Sequence, residues 1–331
     1  MRVSAEKLTV LIVGCGNIAG GFDIRQSSKD YSLTHAEAFN RHPNFELKAC
    51  CDTNPDQIDK FLTNWNFSES FQSIEELENK KTYFDVISVC NPTEEHSKTL
   101  EVVLKLKPKL VFCEKPLTHD VKDTKEIISQ YKRAGIPLAV NYSRRWMEEI
   151  EEFKINLQKK KWGELRSVVA HYNKGILNNG SHIIDLMNFL FETISLSWVG
   201  KPLYDYFKED PTIPAVLSTP DGKNIFLNTT NSKDFSLFEI QFFMERGVVS
   251  LEDSGMLWRV REVKESEEFE GYKVLTGVSE TMTDYSYAMD KAIQNIYDAI
   301  VSKKELKSCD INALLAQEIC NKILSRSLKE N

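Results

Sequence analysis

The chain has 331 residues, 41% of them apolar, more than the ~150 residues of one typical domain and enough to build two cores. Its 42 basic and 49 acidic side chains leave a net charge of -7, which provides no broad basic surface for nucleic acid or an anionic membrane and points to a small-molecule partner. No run approaches the ~18 consecutive apolar residues of a membrane helix, and the short apolar run after "MRVSAEK" reads as a strand rather than a signal peptide, so a soluble cytoplasmic protein is expected.

Up to about Tyr142, short β-branched runs alternate with amphipathic helical patterns, the signature of a parallel sheet with crossover helices. The strands are "TVLIVG", "ELKACC", "DVISVC", "KLVFCE" and "PLAVNY". The helices between them are "NPDQIDKFLTNW", "SIEELENKK", "TEEHSKTLEVVLKL" and "VKDTKEIISQYKRAG", the last with Gly135 as C-cap. Several of the 7 cysteines lie inside these strands and none forms a CxxC pair, so buried thiols are expected rather than disulfides or a metal site. After "SRRWMEEIEEFKINLQKKKWG" the character changes. "ELRSVVAHYN" reads as a strand, "SHIIDLMNFLF" as a buried helix, and "NIFLNTT", "SLFEIQFFM", "GVVSLED" and "MLWRVREVK" as strands joined by short turns in an antiparallel sheet. Two helices, "DYSYAMDKAIQNIYDAIVS" and "INALLAQEICNKILSRSL", close the chain. The expectation is an α/β doubly wound Rossmann domain over residues 1–142, then an α+β domain with a large, mostly antiparallel open sheet over 143–331.

Gly14, Gly16 and Ala19 fit the pattern G-x-G-x-x-G/A, with Asn17 and Ile18 between the last two. The first glycine permits a tight turn, the second leaves room for a pyrophosphate, and the small third residue lets a helix pack on the strand, with backbone N–H groups and the helix dipole facing the phosphates. Asp52, closing "ELKACC", is placed to accept hydrogen bonds from the adenosine ribose hydroxyls and to repel a 2'-phosphate, which favours NAD while leaving NADP open. The acid should follow the glycines by ~20 residues, yet Ala19 and Asp52 stand 33 positions apart. Removing "FDIRQSSKDYSL" restores the spacing. Phe22 to Leu33 is therefore read as an insertion, either a surface decoration or a cover for pyrophosphate or substrate, with the helix resuming at Thr34 behind a Ser32 or Thr34 cap.

"CEKPL", Cys113 to Leu117, leaves a hydrophobic strand at the cofactor edge. Alcohol oxidation needs a group to take the hydroxyl proton while hydride moves to nicotinamide, and Lys115 suits that task. Its reference pKa near 10.4 would have to fall to roughly 7 to 8, a shift of about 3 to 5 kcal/mol to which burial and the positive oxidised ring both contribute. Glu114 would oppose part of that shift, so orientation of Lys115 is its better role.

In chain order, "GCGNIAG", "CDTNPD", "VISVCNPTEEH", "CEKPL" and "NNGSHIIDLM" resemble the glucose-fructose oxidoreductase, inositol dehydrogenase and MocA family over nearly the whole chain. The resemblance implies hydride transfer between NAD(P) and a secondary hydroxyl or ketone of a sugar, cyclitol or sugar nucleotide, with homo-oligomer contacts through the C-terminal sheet. By position it makes Lys115 the catalytic lysine and His182 the histidine of the family's D-x-G-x-H motif. Asn178 stands where many cyclitol dehydrogenases have the aspartate; an amide accepts no proton, which counts against inositol-type substrates. Asp185, one helical turn from His182, would orient its imidazole, touch substrate or serve only as a helix carboxylate. Asn91 and Pro92 match the loop beside the nicotinamide ribose. His96 matches the adjoining histidine, either at the cofactor or as a structural helix start. One of Arg144 and Arg145 would bind an anionic group, the other being solvated, and Tyr142, Lys174 and Asn178 are assigned to the pocket lining. Trp146 and Trp162 are assigned to core or interface. No metal is expected. Two alternatives remain beside the dehydrogenase: a glycosidase that recycles bound NAD through oxidation and elimination, and a non-catalytic NAD(P)-binding regulator.

Overall fold

The structure, a computed structural model, describes residues 6–24, 29–80 and 82–329. Packing divides the chain into two compact units, one running to Trp146 and including Ser286–Leu314, the other comprising Met147–Tyr285 and the chain from Leu315 onward.

The first unit is built on a six-stranded parallel sheet of β1 (Leu8–Val13), β2 (Phe45–Cys51), β3 (Glu69–Phe71), β4 (Val86–Val89), β5 (Leu110–Cys113) and β6 (Leu138–Val140), in the order β3-β2-β1-β4-β5-β6. Helices cover both faces, so the central strands are continuous apolar runs rather than alternating ones: Val10, Leu11, Ile12, Val86, Ile87 and Leu110 are all 0% exposed. The crossovers are α1 (His35–Arg41), α2 (Pro55–Asn64), α3 (Ile74–Lys80), α4 (Thr93–Leu106) and α5 (Val121–Ala134), the last closed by Gly135 in the left-handed conformation. The five expected strands are all present; β3, a three-residue edge strand, is too short to leave a periodic signal.

Helix α8 (Ala288–Ser302) also belongs to this unit, which departs from the contiguous 143–331 assignment. The physical reason is its apolar stripe: Ala292, Ile293 and Ile296 are fully buried in the same core as Phe112, Ala139 and Trp146.

The second unit holds α6 (Glu148–Gln158), α7 (Ser181–Phe191), most of α9 (Asp310–Lys329) and an eight-stranded sheet. Its strands are β7 (Leu165–Tyr172), β8 (Ser195–Val199), β9 (Ala215–Ser218), β10 (Asn224–Thr229), β11 (Phe238–Met244), β12 (Gly247–Glu252), β13 (Leu257–Glu265) and β14 (Lys273–Met282). The order is β14-β13-β12-β11-β7-β10-β9-β8. In β11 the side chains alternate, with Phe238, Ile240, Phe242 and Met244 turned inward, as a sheet covered on one face requires. The sequence reading paired β10 with β11 through a short turn. Instead β7 lies between them, antiparallel to β11 and parallel to β10. Strands β8, β9 and β14 were not foreseen; β14 is exposed along most of its length and so carries little apolar alternation.

Candidate functional site

Strand order reverses at β1, flanked by β2 and β4, and a crevice opens beyond the carboxyl ends of these strands, where open α/β sheets place their ligands. A cavity of about 310 Å³ lies there, lined by Gly14, Asp52, Thr53, Asn91, Pro92 and Thr99 among others. Gly14 has φ +89°, and a Cβ on it would lie 2.5 Å from Asn91 N, so the β1 and β4 ends approach too closely for any side chain at this position. Asp52 braces the turn: Oδ2 accepts from Cys15 N at 2.7 Å and Oδ1 from Asn54 N at 2.8 Å. Asn91 donates from Nδ2 to Thr99 Oγ1 at 2.8 Å, while its buried Oδ1 has no partner among the described residues. The space around Gly16 is open. An orphaned acceptor, an open glycine and a carboxylate at the second strand's end fit a dinucleotide's ribose and pyrophosphate.

The glycine turn does not lead directly into a long helix. Residues Asn17–Gly21 form a single wide turn whose N–H groups from Gly20 and Gly21 return to Gly16 O. The expected helix dipole is therefore short here, and phosphate binding would rest on the turn's first N–H groups. Ala19 is 0% exposed, consistent with its packing role. Helix α1 resumes behind Thr34, whose hydroxyl accepts from Glu37 N at 3.4 Å; Ser32 is instead bound to Asp290 of α8 at 2.9 and 2.6 Å. Asp23 accepts from Thr34 N at 2.9 Å and Thr34 Oγ1 at 2.7 Å, and Tyr287 donates to Asp30 at 2.7 Å, so the insertion is pinned to α1 and α8. Residues 25–28 of it lie outside the described residues.

At the end of β5, Glu114 and Lys115 follow Cys113, and the Lys115–Pro116 peptide is cis. Glu114 Oε1 accepts from Asn141 Nδ2 at 2.6 Å and faces His35 Nε2 at 2.9 Å, while His35 Nδ1 meets Ser88 Oγ at 2.7 Å. His35 is the first residue of α1, is 0% exposed, and packs in a tilted arrangement against Phe112 with ring centroids 4.5 Å apart. Burial alone would favour its neutral ring; Cys90 and Glu114 overcome that and push its pKa up to about 10. Burial likewise opposes ionisation of Glu114, but hydrogen bonds from His35 and Asn141 and the nearby Lys115 charge hold its pKa below the ordinary value. Sequence reasoning missed His35; its only signal was its position directly after a helix cap.

His96 is buried in α4. Nε2 meets Asn91 O at 2.9 Å, and Nδ1 lies 3.0 Å from Pro116 O and 3.2 Å from Leu117 O. With both ring nitrogens on backbone carbonyls, its geometry supports the structural alternative: a clasp between the Asn91 and Lys115 loops. Arg144 and Arg145, in the short turn Ser143–Trp146, are each 5% exposed. The expectation that one is solvated is therefore corrected: both side chains are buried. Tyr142 is 1% exposed, and Trp146 is a core residue donating to Asn295 Oδ1 at 3.2 Å.

In the second unit, Asn178 lies within the wide turn Gly175–Gly180 and His182 occupies the first turn of α7, half-buried, with Asp185 2% exposed beyond it. The Asn178 N–H and the Leu177 N–H both donate to Asp210, each at 2.8 Å. Asp205 accepts from Lys174 N at 3.0 Å and from Thr212 Oγ1 at 2.7 Å, and Lys174 Nζ sits 5.4 Å from the centre of the Tyr206 ring. Neither acid was foreseen; both come from the loop between β8 and β9, where no periodic pattern marks them.

Strand order, glycine turn and second-strand acid together define the first unit as a dinucleotide-binding Rossmann fold. Residues 8–142 match the model of the GFO/IDH/MocA oxidoreductase family, which has an NAD-binding Rossmann fold. Among curated relatives, an uncharacterized oxidoreductase, YrbE, of Bacillus subtilis is 24% identical over 120 residues, covering 36% of this chain and 35% of the relative. Inositol 2-dehydrogenase 1 of Mycolicibacterium vanbaalenii is 29% identical over 161 residues, covering 43% and 46%. The matches thus span less than half of each relative's length. The crystal structure of the WlbA dehydrogenase from Bordetella pertussis, in complex with NADH and UDP-GlcNAcA, covers 100% of this chain and 98% of that one at a TM-score of 0.81 and 15% identity, which shows the same fold across both units.

Proposed function

We propose that the protein is an NAD-dependent oxidoreductase that moves hydride between nicotinamide and a secondary hydroxyl or ketone of a sugar, cyclitol or sugar nucleotide. The observation that carries this reading is the cradle at the β1–β4 switch point: Gly14 pressed against Asn91, Asp52 bracing the turn, and the family match over the same residues. When bound, the nicotinamide supplies the hydride acceptor or donor. Gly14, Gly16, Asn17, Ile18 and Ala19 would hold the pyrophosphate, Asp52 the adenosine ribose, and Asn91 with Pro92 the second ribose. Asp52 offers a carboxylate where a 2'-phosphate would need a cation, which favours NAD over NADP.

Lys115 would accept or return the hydroxyl proton, and Glu114, fixed by His35 and Asn141, would orient it. His182 would be the second proton-handling residue. The second unit would bind substrate with Asn178 and Asp185 and present its open sheet to a second copy of the chain, in the cytoplasm. The relatives' names favour a dehydrogenase over the glycosidase and regulator alternatives. Lys115→Met and His182→Ala test the assignment. Each should lower kcat by about 10²-fold or more with NADH affinity nearly unchanged, since general acid–base groups contribute about 10²–10⁴-fold. Full turnover by the double variant would overturn it.

A further inference from the structure

The buried chain behind Lys115 has more donors and acceptors than orientation of Glu114 requires. Glu114 Oε1 is already held by Asn141 at 2.6 Å, yet a second, titratable donor, His35, is packed against it at 2.9 Å. The opposite ring nitrogen of His35 meets a hydroxyl, Ser88 Oγ, whose further neighbour is Cys90 Sγ at 3.5 Å. A hydroxyl both donates and accepts. With the neutral ring, Ser88 donates to Nδ1; with the charged ring, it accepts from Nδ1–H and turns its hydrogen toward Cys90. His35 can therefore gain or lose a proton by rotation of one hydroxyl, with its bond to Glu114 preserved in both states.

We propose that His35 is a positioning residue for Lys115: by pairing with Glu114 it offsets the carboxylate's charge, so that the adjacent amine gives up its proton more readily. This deepens the oxidoreductase reading and rests on its assignment of Lys115. Without that offset, an ionised Glu114 beside Lys115 favours the ammonium form. The titratable groups facing this pair are Cys90 after β4, Cys113 at the end of β5, and Lys115 itself. Ser88 and Asn141, its other polar neighbours, carry no charge. The position of His35 at the start of α1 follows from the Thr34 cap, so the insertion that delays this helix also sets where the imidazole enters.

The test reads Lys115 directly and needs no substrate. The full chain is exposed to an amine-acylating reagent across a pH series, and labelling of the Lys115 peptide is followed by mass spectrometry. In His35→Gln, which keeps an amide donor without charge, the labelling midpoint should rise by about one pH unit, a roughly tenfold slower reaction at any pH below it. Adding Glu114→Gln should reverse the shift. A merely structural role would leave the midpoint in place in a variant whose melting curve shows it folded, and that result would overturn the proposal, as would a shift that Glu114→Gln fails to reverse. Should His35→Gln not fold, Ser88→Ala removes the acceptor that stabilises the charged ring and must raise the midpoint in the same direction; an unmoved midpoint there is equally fatal. Absence of turnover in a substrate assay counts against the oxidoreductase reading alone.

Discussion

At the residue scale, Gly14, Asp52 and the His35–Glu114 pair carry separable consequences. Gly14 combines a positive φ with a neighbour 2.5 Å from any added Cβ, so Gly14→Ala must displace the Asn91 loop. A backbone strain of this kind costs about 1–3 kcal/mol, and the variant should melt lower and lose NADH binding in a fluorescence titration; unchanged affinity would show that the turn does not hold the dinucleotide. Asp52→Ala should weaken NADH more than NADPH, moving the preference by about 10- to 100-fold, the range of a charged hydrogen bond of ~1.5–3 kcal/mol. The His35–Glu114 pair has a pH signature whose sign follows from its shifts. His35, pushed up to about 10, contributes stability fully below its usual value of 6.5, and that contribution fades as pH rises toward 10. Glu114, held low, contributes above its usual 4.5 and loses that contribution as pH falls through its lowered value. The melting-temperature gap between the wild type and His35→Gln should thus be widest near pH 5–6 and close toward pH 10. The tight turn at Gly14 and the position of Asp52 at the end of β2 were legible because backbone freedom and charge at strand ends mark them. His35, Asp205 and Asp210 were not, because each acts across the fold on a partner remote in sequence.

Elements built on periodicity were read well, and those placed by tertiary contacts were not. Helix α4 coincides with "TEEHSKTLEVVLKL", and α5 ends at its glycine, because cap chemistry and a one-sided apolar stripe are local properties. The separation of β10 from β11 by β7 depends on a parallel pairing that no turn announces. The start of α1 depends on Asp23, which binds the backbone N–H groups of Leu33 and Thr34 as well as the Thr34 hydroxyl. Asp23→Ala should cost about 1–2 kcal/mol and speed hydrogen exchange over residues 33–37; protection unchanged from the wild type would mean that α1 is held by its core contacts alone. In the second unit, burial and the Asp284 carboxylate push Glu149 at the start of α6 up to about 7. The folded state then binds this proton more tightly than the unfolded chain, so its contribution is present at acid pH and lost as pH rises through 7. Glu149→Gln should accordingly melt higher than the wild type at pH 8 and about equally at pH 5.

For the molecule as a whole, two units of different architecture divide the expected tasks: a parallel sheet that presents its strand ends to a dinucleotide, and a broad open sheet with His182 on the helix that follows its first strand. The first was recognisable from its order of strands and its turn; the return of α8 to that unit was not, since only a buried stripe links it to a core formed 150 residues earlier in rough terms of chain length. Hydride exchange with a nicotinamide cofactor is the activity proposed for this chain. Its most direct test is to incubate the purified protein with NAD, and separately with NADH, against sugars, cyclitols and sugar nucleotides, following near-ultraviolet NADH absorbance together with product analysis. A substrate-dependent gain or loss of NADH, abolished in Lys115→Met, is the predicted result. Glycoside cleavage with no net change in NADH, or tight NAD binding with every substrate unaltered, would contradict the account.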